Sequence, residues 1–229
     1  MNTLNTIINT DAISFLSTLS DGCVDCVITD PPYKQEAHDR GFIAKHSKIY
    51  KEMADWTNSN NDWYNETFLN ELVRVCKFPN VYLFCGKRDL VYILNFAERR
   101  SYFYHIIPIC KKAPAPFINN TWLSNEYSVH FTDRKIVYNK EYQLKIPYFL
   151  IQGGKTTFHP NEKNLEMVKR IVSNITQEGQ TVLDCFMGSG TTAVACRDLN
   201  RNYIGCELNP DFIELANARL KEEKQLEMF

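Results

Sequence analysis

Four residues near the start of the chain could turn a poor nucleophile into a working one. Asp30-Pro31-Pro32-Tyr33 closes a strand-like run, Val24-Asp25-Cys26-Val27-Ile28-Thr29. Asp30 offers a carboxylate. Pro31 offers a backbone carbonyl, aimed in a fixed direction because Pro32 restricts the residue before it. Two such acceptors on one amine pull its nitrogen toward a tetrahedral state with a localised lone pair. Tyr33 adds a flat face for a planar ring. The same tetrapeptide could be a plain turn, but the C-terminal edge of a strand is where α/β sheets place ligands.

A second constellation lies near the other end. Asp184-Cys185-Phe186-Met187-Gly188-Ser189-Gly190-Thr191-Thr192 follows the run Thr181-Val182-Leu183. Gly188-x-Gly190-x-x-Ala193 fits the dinucleotide fingerprint, in which glycines let the backbone turn tightly and approach a ligand. A helix from Thr191 would present unpaired N–H groups to an anionic group. Glu207, at the end of the next strand-like run, can take ribose hydroxyls. On these residues alone a nicotinamide-dependent oxidoreductase competes, although it would leave Asp30-Pro31-Pro32-Tyr33 unexplained.

The two motifs together, catalytic first and cofactor last, resemble the β class of S-adenosylmethionine-dependent DNA amino-methyltransferases. The likeness covers most of the chain and is densest over 9–33 and 159–219. His159-Pro160-Asn161-Glu162-Lys163-Asn164 is similar to the family's His-Pro-x-Gln-Lys-Pro, with Glu162 and Asn164 as departures. Lys111, Pro114, Pro116, Asn120, Trp122 and Glu126 resemble a loop-and-strand segment of the family. The resemblance implies that Asp30 and Pro31 polarise the target amine, that Pro32 fixes the turn and that Tyr33 stacks on an extruded base. It assigns S-adenosyl-L-methionine to Asp11, Ala12, Asp30, His159, Lys163, Asp184, Phe186, Gly188, Ser189, Gly190, Thr191, Thr192, Glu207 and Leu208. The cofactor's sulfonium is its own activating group, so no metal is expected. Asp at the head of the motif implies adenine N6; the rival is cytosine N4, where Ser is more usual.

These motifs need an α/β frame. Apolar runs that alternate with helix-patterned segments predict strands at 5–9, 24–29, 80–85, 102–110, 127–132, 180–185 and 202–207. Helices are expected to start near Asp11, Trp63, Asp89, Asn161, Thr191 and Pro210. The expected fold is a single three-layer, Rossmann-like domain with a mostly parallel twisted sheet, one antiparallel strand and permuted motif order. Residues 1–133 would form the catalytic half and 156–229 the cofactor half. Most of the eight cysteines sit in apolar runs, as free buried thiols do. Cys23 and Cys26 make one CxxC, with no second pair at zinc spacing.

A formal net charge of −1 leaves DNA binding to local basic patches. Two stretches without motif, 34–62 and 134–155, are the candidates for recognising double-stranded DNA. The first carries Lys34, Arg40, Lys45, Lys48 and Lys51 among Phe42, Ile43 and Tyr50; the second begins at Arg134 and Lys135. Basic residues take phosphates, and an apolar side chain can fill the gap left by a flipped base. No apolar run approaches the roughly 20 residues of a membrane span, and Met1–Thr6 lacks the basic flank of a signal peptide. The expectation is a cytoplasmic protein. A homodimer stays open, and neither the target sequence nor a restriction endonuclease partner is legible.

Overall fold

The computed structural model describes residues 4–32, 63–111, 126–134, 136, 148–151 and 163–222. Its strands are β1 (Thr6–Asn9), β2 (Cys26–Thr29), β3 (Asn80–Cys85), β4 (Phe103–Lys111), β5 (Glu126–Thr132), β6 (Phe149–Ile151), β7 (Thr181–Asp184) and β8 (Asn202–Glu207). Its helices are α1 (Ala12–Thr18), α2 (Glu66–Val75), α3 (Leu90–Arg99), α4 (Leu165–Ile175), α5 (Thr191–Asp198) and α6 (Pro210–Lys221). The strands form one sheet in the order β1-β8-β7-β2-β3-β5-β4-β6. Only β5 among them runs against its neighbours.

The central strands are apolar on both sides because both sides are covered. Every residue of β2 is buried. Val27, Leu83, Leu183 and Ile204 face one cluster, built with Leu16 of α1, Leu72 of α2 and Phe96 of α3. Ile28, Tyr82, Val182 and Tyr203 face the other, with Ile171 of α4 and Ala195 of α5; Leu220 of α6 packs on its flank. The three layers expected from the sequence are therefore present. β2 leads to α2 on one face and onward to β3. β7 leads to α5 on the opposite face and onward to β8. The crevice between the ends of β2 and β7 is thus the point where the winding reverses, the usual ligand position of an open α/β sheet.

Local rules place most boundaries. Asp11, Asn65, Asn164 and Asn209 each accept an N–H of the first turn of their helix, a satisfied N-cap. Two starts differ from expectation. The helix expected near Trp63 begins at Glu66, and the one expected near Asn161 begins at Leu165. In each case the capping Asn stands later than the pattern suggested, at Asn65 and Asn164. β6 was not expected. It lies inside 134–155 and adds Phe149–Ile151 to the edge of β4.

Candidate active site and cofactor cradle

The glycine turn is held by its own side chains. Asp184, at the end of β7, is buried, and both its oxygens face inward. Oδ1 accepts from the Thr29 hydroxyl at 2.8 Å and the Phe186 N–H at 3.0 Å. Oδ2 accepts from the Thr192 hydroxyl at 2.7 Å. Arg219 of α6 donates through Nη1 to the Ser189 carbonyl at 2.7 Å, the Ser189 hydroxyl at 3.0 Å and the Thr191 hydroxyl at 3.2 Å. The hydroxyls of Ser189, Thr191 and Thr192 are thus turned into the fold. What the turn leaves outward is its backbone and the N-terminus of α5.

The two glycines of the turn differ. Gly190 has φ +82, and a Cβ there would stand 2.6 Å from Ala216 Cβ, so α6 fits only against glycine. Gly188 has φ +53, and a Cβ there would meet no described residue within 4 Å.

Burial pushes the Asp184 carboxyl up to about 6, against the pull of its hydrogen bonds from Thr192, Phe186 and Thr29. The folded state therefore holds this proton where the unfolded chain has released it. Stability falls as pH rises from the ordinary aspartate value of 3.8 to about 6, and stays at the lower level above. Asp184→Asn should flatten that slope. Denaturant melts at acidic and neutral pH check it, and a variant with the wild-type slope would contradict it.

Glu207, at the end of β8, faces the turn. Its Oε2 accepts from the Gly188 N–H at 2.8 Å and its Oε1 from the Asn209 N–H at 2.9 Å. This orients the carboxylate and leaves lone pairs for further donors. Leu208, beside it, is 49% exposed and offers an apolar surface. Asp11 stands on the adjacent strand end, since Asn9 pairs with Glu207. Its carboxylate caps α1, and hydrogen bonds from Ser14 hold it below the usual aspartate value. Ala12 behind it is buried. Phe186 packs edge-on against Trp63 at 4.9 Å and Phe68 at 6.1 Å between centroids.

Asp30 leaves β2 beside this cradle. Its Oδ2 lies 3.1 Å from Lys163 Nζ, which also lies 3.0 Å from Glu126 Oε2. Its Oδ1 is enclosed and has no hydrogen-bond partner among the described residues. Burial raises the Asp30 carboxyl, Lys163 pulls it back down and Glu126 adds to the rise. The Pro31 carbonyl lies 3.4 Å from the Tyr64 hydroxyl, whose closer partner is the Phe84 carbonyl at 2.8 Å. Thr29 joins the two motifs: its hydroxyl donates to Asp184 and accepts from the Cys185 N–H at 3.2 Å.

The residues nominated from sequence thus fall into three groups. Asp11, Ala12, Asp30, Pro31, Pro32, Lys163, Asp184, Phe186, Gly188, Ser189, Gly190, Thr191, Thr192, Glu207 and Leu208 gather at one end of the sheet, around β1, β2, β7 and β8. Tyr33, Lys34, Arg40, Lys45, Lys48, Lys51, Lys135 and His159 lie outside the described residues. Arg134 is separate from both. It follows β5, and because β5 is reversed Thr132 pairs with the start of β3 at Asn80. Arg134 therefore stands at the opposite end of the sheet from Asp30, paired with Asp133 at 2.9 Å and lying over Phe78. The same reversal brings Glu126, at the start of β5, to the Asp30 end. Trp63, Tyr64 and Arg219 were not foreseen, since each reaches the site by a contact between distant segments.

The donor set suits a nucleoside-bearing cofactor: an open glycine backbone, an oriented acid for a diol, an apolar residue beside it and a helix N-terminus. Among the described residues no cluster of His, Cys, Asp and Glu could hold a metal.

Comparison with known proteins agrees with this chemistry. A family model described as DNA methylase, of the N6 and N4 type, matches residues 24–218. The type II methyltransferase M.HpaI of Haemophilus parainfluenzae is 28% identical over 95% of this chain and 74% of its own length. M.HinfI of Haemophilus influenzae is 23% identical over 96% of this chain and 69% of its own length. Among solved structures, the M1.HpyAVI–SAM complex superposes with a TM-score of 0.70 at 26% identity, covering 93% of this chain and 98% of that one. The cytosine-N4-specific PvuII DNA methyltransferase, at 13% identity and a TM-score of 0.68, shares the fold.

Proposed function

This chain belongs to the N6/N4 DNA methylase family, and on that premise we propose that it methylates the exocyclic N6 of adenine in duplex DNA. It is an S-adenosyl-L-methionine-dependent DNA amino-methyltransferase; the choice of adenine is the finer step. The observation that supports adenine is Asp30, where Ser is more usual for cytosine N4; its carboxylate has one oxygen tied to Lys163 and the other enclosed and unpartnered among the described residues.

An exocyclic base amine is a weak nucleophile because its lone pair is delocalised into the ring. Asp30 Oδ1 accepts one N–H and the Pro31 carbonyl accepts the other, which localises the lone pair. A base inside a duplex is out of reach, so the target nucleotide is extruded, and Tyr33 offers the stacking face, worth about 1–3 kcal/mol. When bound, S-adenosyl-L-methionine supplies an electrophilic methyl group. Glu207 would hold its ribose diol, Leu208 and Asp11 would flank its adenine, and Gly188 and the start of α5 would give it room. Transfer of that methyl would form the N–C bond as the methyl C–S bond breaks, its electron pair staying on the departing thioether; the nitrogen would then shed a proton, and Asp30 is placed to take it. Most of the rate gain comes from positioning, and Thr29 fixes the two motifs relative to each other.

Lys34, Arg40, Lys45, Lys48 and Lys51 leave the catalytic turn directly in sequence, which supports their role on DNA phosphates. Arg134 and Lys135 are weaker candidates, given the place of Arg134 at the far end of the sheet.

The product identifies the base. Nucleoside mass spectrometry of duplex DNA treated with the protein and S-adenosyl-L-methionine should show N6-methyladenine. N4-methylcytosine alone would move the assignment to cytosine.

A further inference from the structure

We infer that Glu126 and Lys163 form a charge-setting pair that positions Asp30, holding its carboxylate ionised with one oxygen tied back and the other, unpartnered among the described residues, kept for the target amine. This rests on the functional reading above and extends it, because the family resemblance gave Lys163 to the cofactor and gave Glu126 no role. The geometry assigns Lys163 elsewhere. Its ammonium lies between two carboxylates, 3.1 Å from Asp30 Oδ2 and 3.0 Å from Glu126 Oε2, and 4.8 Å from the Phe84 ring centroid. Its side chain is only 14% exposed. Three segments far apart in sequence build the arrangement. β2 delivers Asp30. The residue just before the α4 cap, Asn164, is Lys163. β5 delivers Glu126 because it alone among the described strands is reversed.

One lysine shared by two carboxylates does two things. It stops Asp30 from rotating, since Oδ2 is held. It also supplies less positive charge to Asp30 than an unshared lysine would, because Glu126 opposes it. The Asp30 carboxylate must be ionised to accept from the amine and to take its proton, yet basic enough to do the second. A shared cation meets both needs. Among the described residues, the other titratable groups coupled to Asp30 are Asp184 of β7 and Cys85 of β3. Asp184 titrates near 6 and Cys85 stays a thiol, since burial raises it.

The pair makes a prediction of opposite sign for its two members. Removing the lysine charge in Lys163→Gln leaves Asp30 buried without a cation, so its titration midpoint rises by about 1–3 units. Removing the acid charge in Glu126→Gln leaves the lysine to Asp30 alone, so the midpoint falls. The acid limb of the rate profile follows: kcat at neutral pH drops in Lys163→Gln and recovers as pH is raised, while in Glu126→Gln the limb moves to lower pH. Lys163→Arg keeps the charge and should restore most of the rate.

The experiment reads the carboxyl directly. The full-length, cofactor-free protein with 13C-labelled aspartate carboxyls is titrated by NMR, with Asp30 assigned by its loss in Asp30→Asn. S-adenosylhomocysteine affinity and the pH dependence of methyl transfer are measured on the same variants, after their melting confirms folding. Midpoints moving in opposite directions, with cofactor affinity held, support the pair. Unmoved midpoints in folded variants overturn it. So does a Lys163→Gln variant that loses cofactor affinity while Asp30 titrates as before, because Lys163 then serves the cofactor. If Lys163→Gln does not fold, the near-isosteric Glu126→Gln decides: a midpoint that stays or rises overturns the pair. Opposite shifts in the two variants, with a wild-type protein that transfers no methyl group to DNA, would uphold the pair and remove the functional reading.

Discussion

Asp30→Asn loses methyl transfer by about 10²–10⁴-fold, binds S-adenosyl-L-methionine as before, and melts at a higher temperature than the wild type. The loss follows from what Asn cannot do. Its amide keeps the size of the carboxylate but carries no charge, and one of its two heads is a donor that faces an amine with donors of its own. It also cannot take the proton that the nitrogen sheds. The gain in stability follows from burial. The Asp30 carboxyl is raised above its ordinary value despite Lys163, so its ionised form is less favourable in the fold than in the unfolded chain. The sign is fixed by linkage: this group lowers stability as pH rises from the unfolded value through the raised folded value, and the deficit persists above it. The stability gap between Asp30→Asn and wild type should therefore be wider at neutral than at acidic pH. Lys163 does not become an orphan in the variant, because Glu126 still holds it at 3.0 Å. A site that trades stability for function is the expected pattern where a charge is kept buried for chemistry. Calorimetric melts at two pH values, beside rate and cofactor affinity, check all three parts. A variant that melts lower at neutral pH would contradict the strain assigned to Asp30.

The second large effect separates two glycines two positions apart, Gly188 and Gly190. Gly190→Ala should destabilise the protein by about 2–4 kcal/mol, the sum of a left-handed backbone and an overpacked contact. Both causes are visible: φ is +82, and the added Cβ would stand 2.6 Å from the Ala216 Cβ and 3.1 Å from its Cα. Because the Cα of α6 is part of the clash, a side-chain rotation cannot relieve it. Ala216→Gly should recover part of the loss in the double variant, since the two residues share one contact and their effects cannot add. Gly188→Ala behaves differently. Its φ of +53 carries a backbone cost of about 1–2 kcal/mol, but no atom of the described residues lies within 4 Å of the new Cβ. The protein should fold, and the methyl group should intrude on the ligand. Cofactor affinity is expected to fall roughly tenfold or more, at least about 1.4 kcal/mol of binding energy. Denaturant melts and calorimetric titration of the cofactor give the two readouts. A Gly188→Ala protein with wild-type affinity would show that the space over this glycine is not the cofactor's.

Much of the frame was legible because local patterns carry it. The continuous apolar runs of β2 and β7 announce strands covered on both faces, and Asn209-Pro210 announces the start of α6. The apolar pattern alone sets two helix starts a few residues early, before the caps at Asn65 and Asn164. β6 is three residues long and has no period to read. The structure gathers many of the nominated residues at one end of the sheet, but the direction of their side chains was not legible. Asp184, Ser189, Thr191 and Thr192 have the right types for a ligand, yet their side chains close the turn from inside, through Thr29 and Arg219. Arg219 stands one turn after Ala216 on α6, where nothing in its neighbours marks it. The placement of Glu126 at the active end, and of Arg134 at the far end, depends on the reversal of one strand. That is a property of the sheet and not of either residue.

The account rests on Asp30 as the acceptor for a DNA amine beside a cofactor cradle that functions without it. The direct measurement is transfer of a tritiated methyl group from S-adenosyl-L-methionine to duplex DNA, by wild-type protein and by Asp30→Asn, each with its cofactor affinity determined. The account predicts label in DNA, recovered as N6-methyladenine, from the wild type alone, with equal cofactor affinity in both proteins. Label entering DNA at the wild-type rate from Asp30→Asn would contradict it.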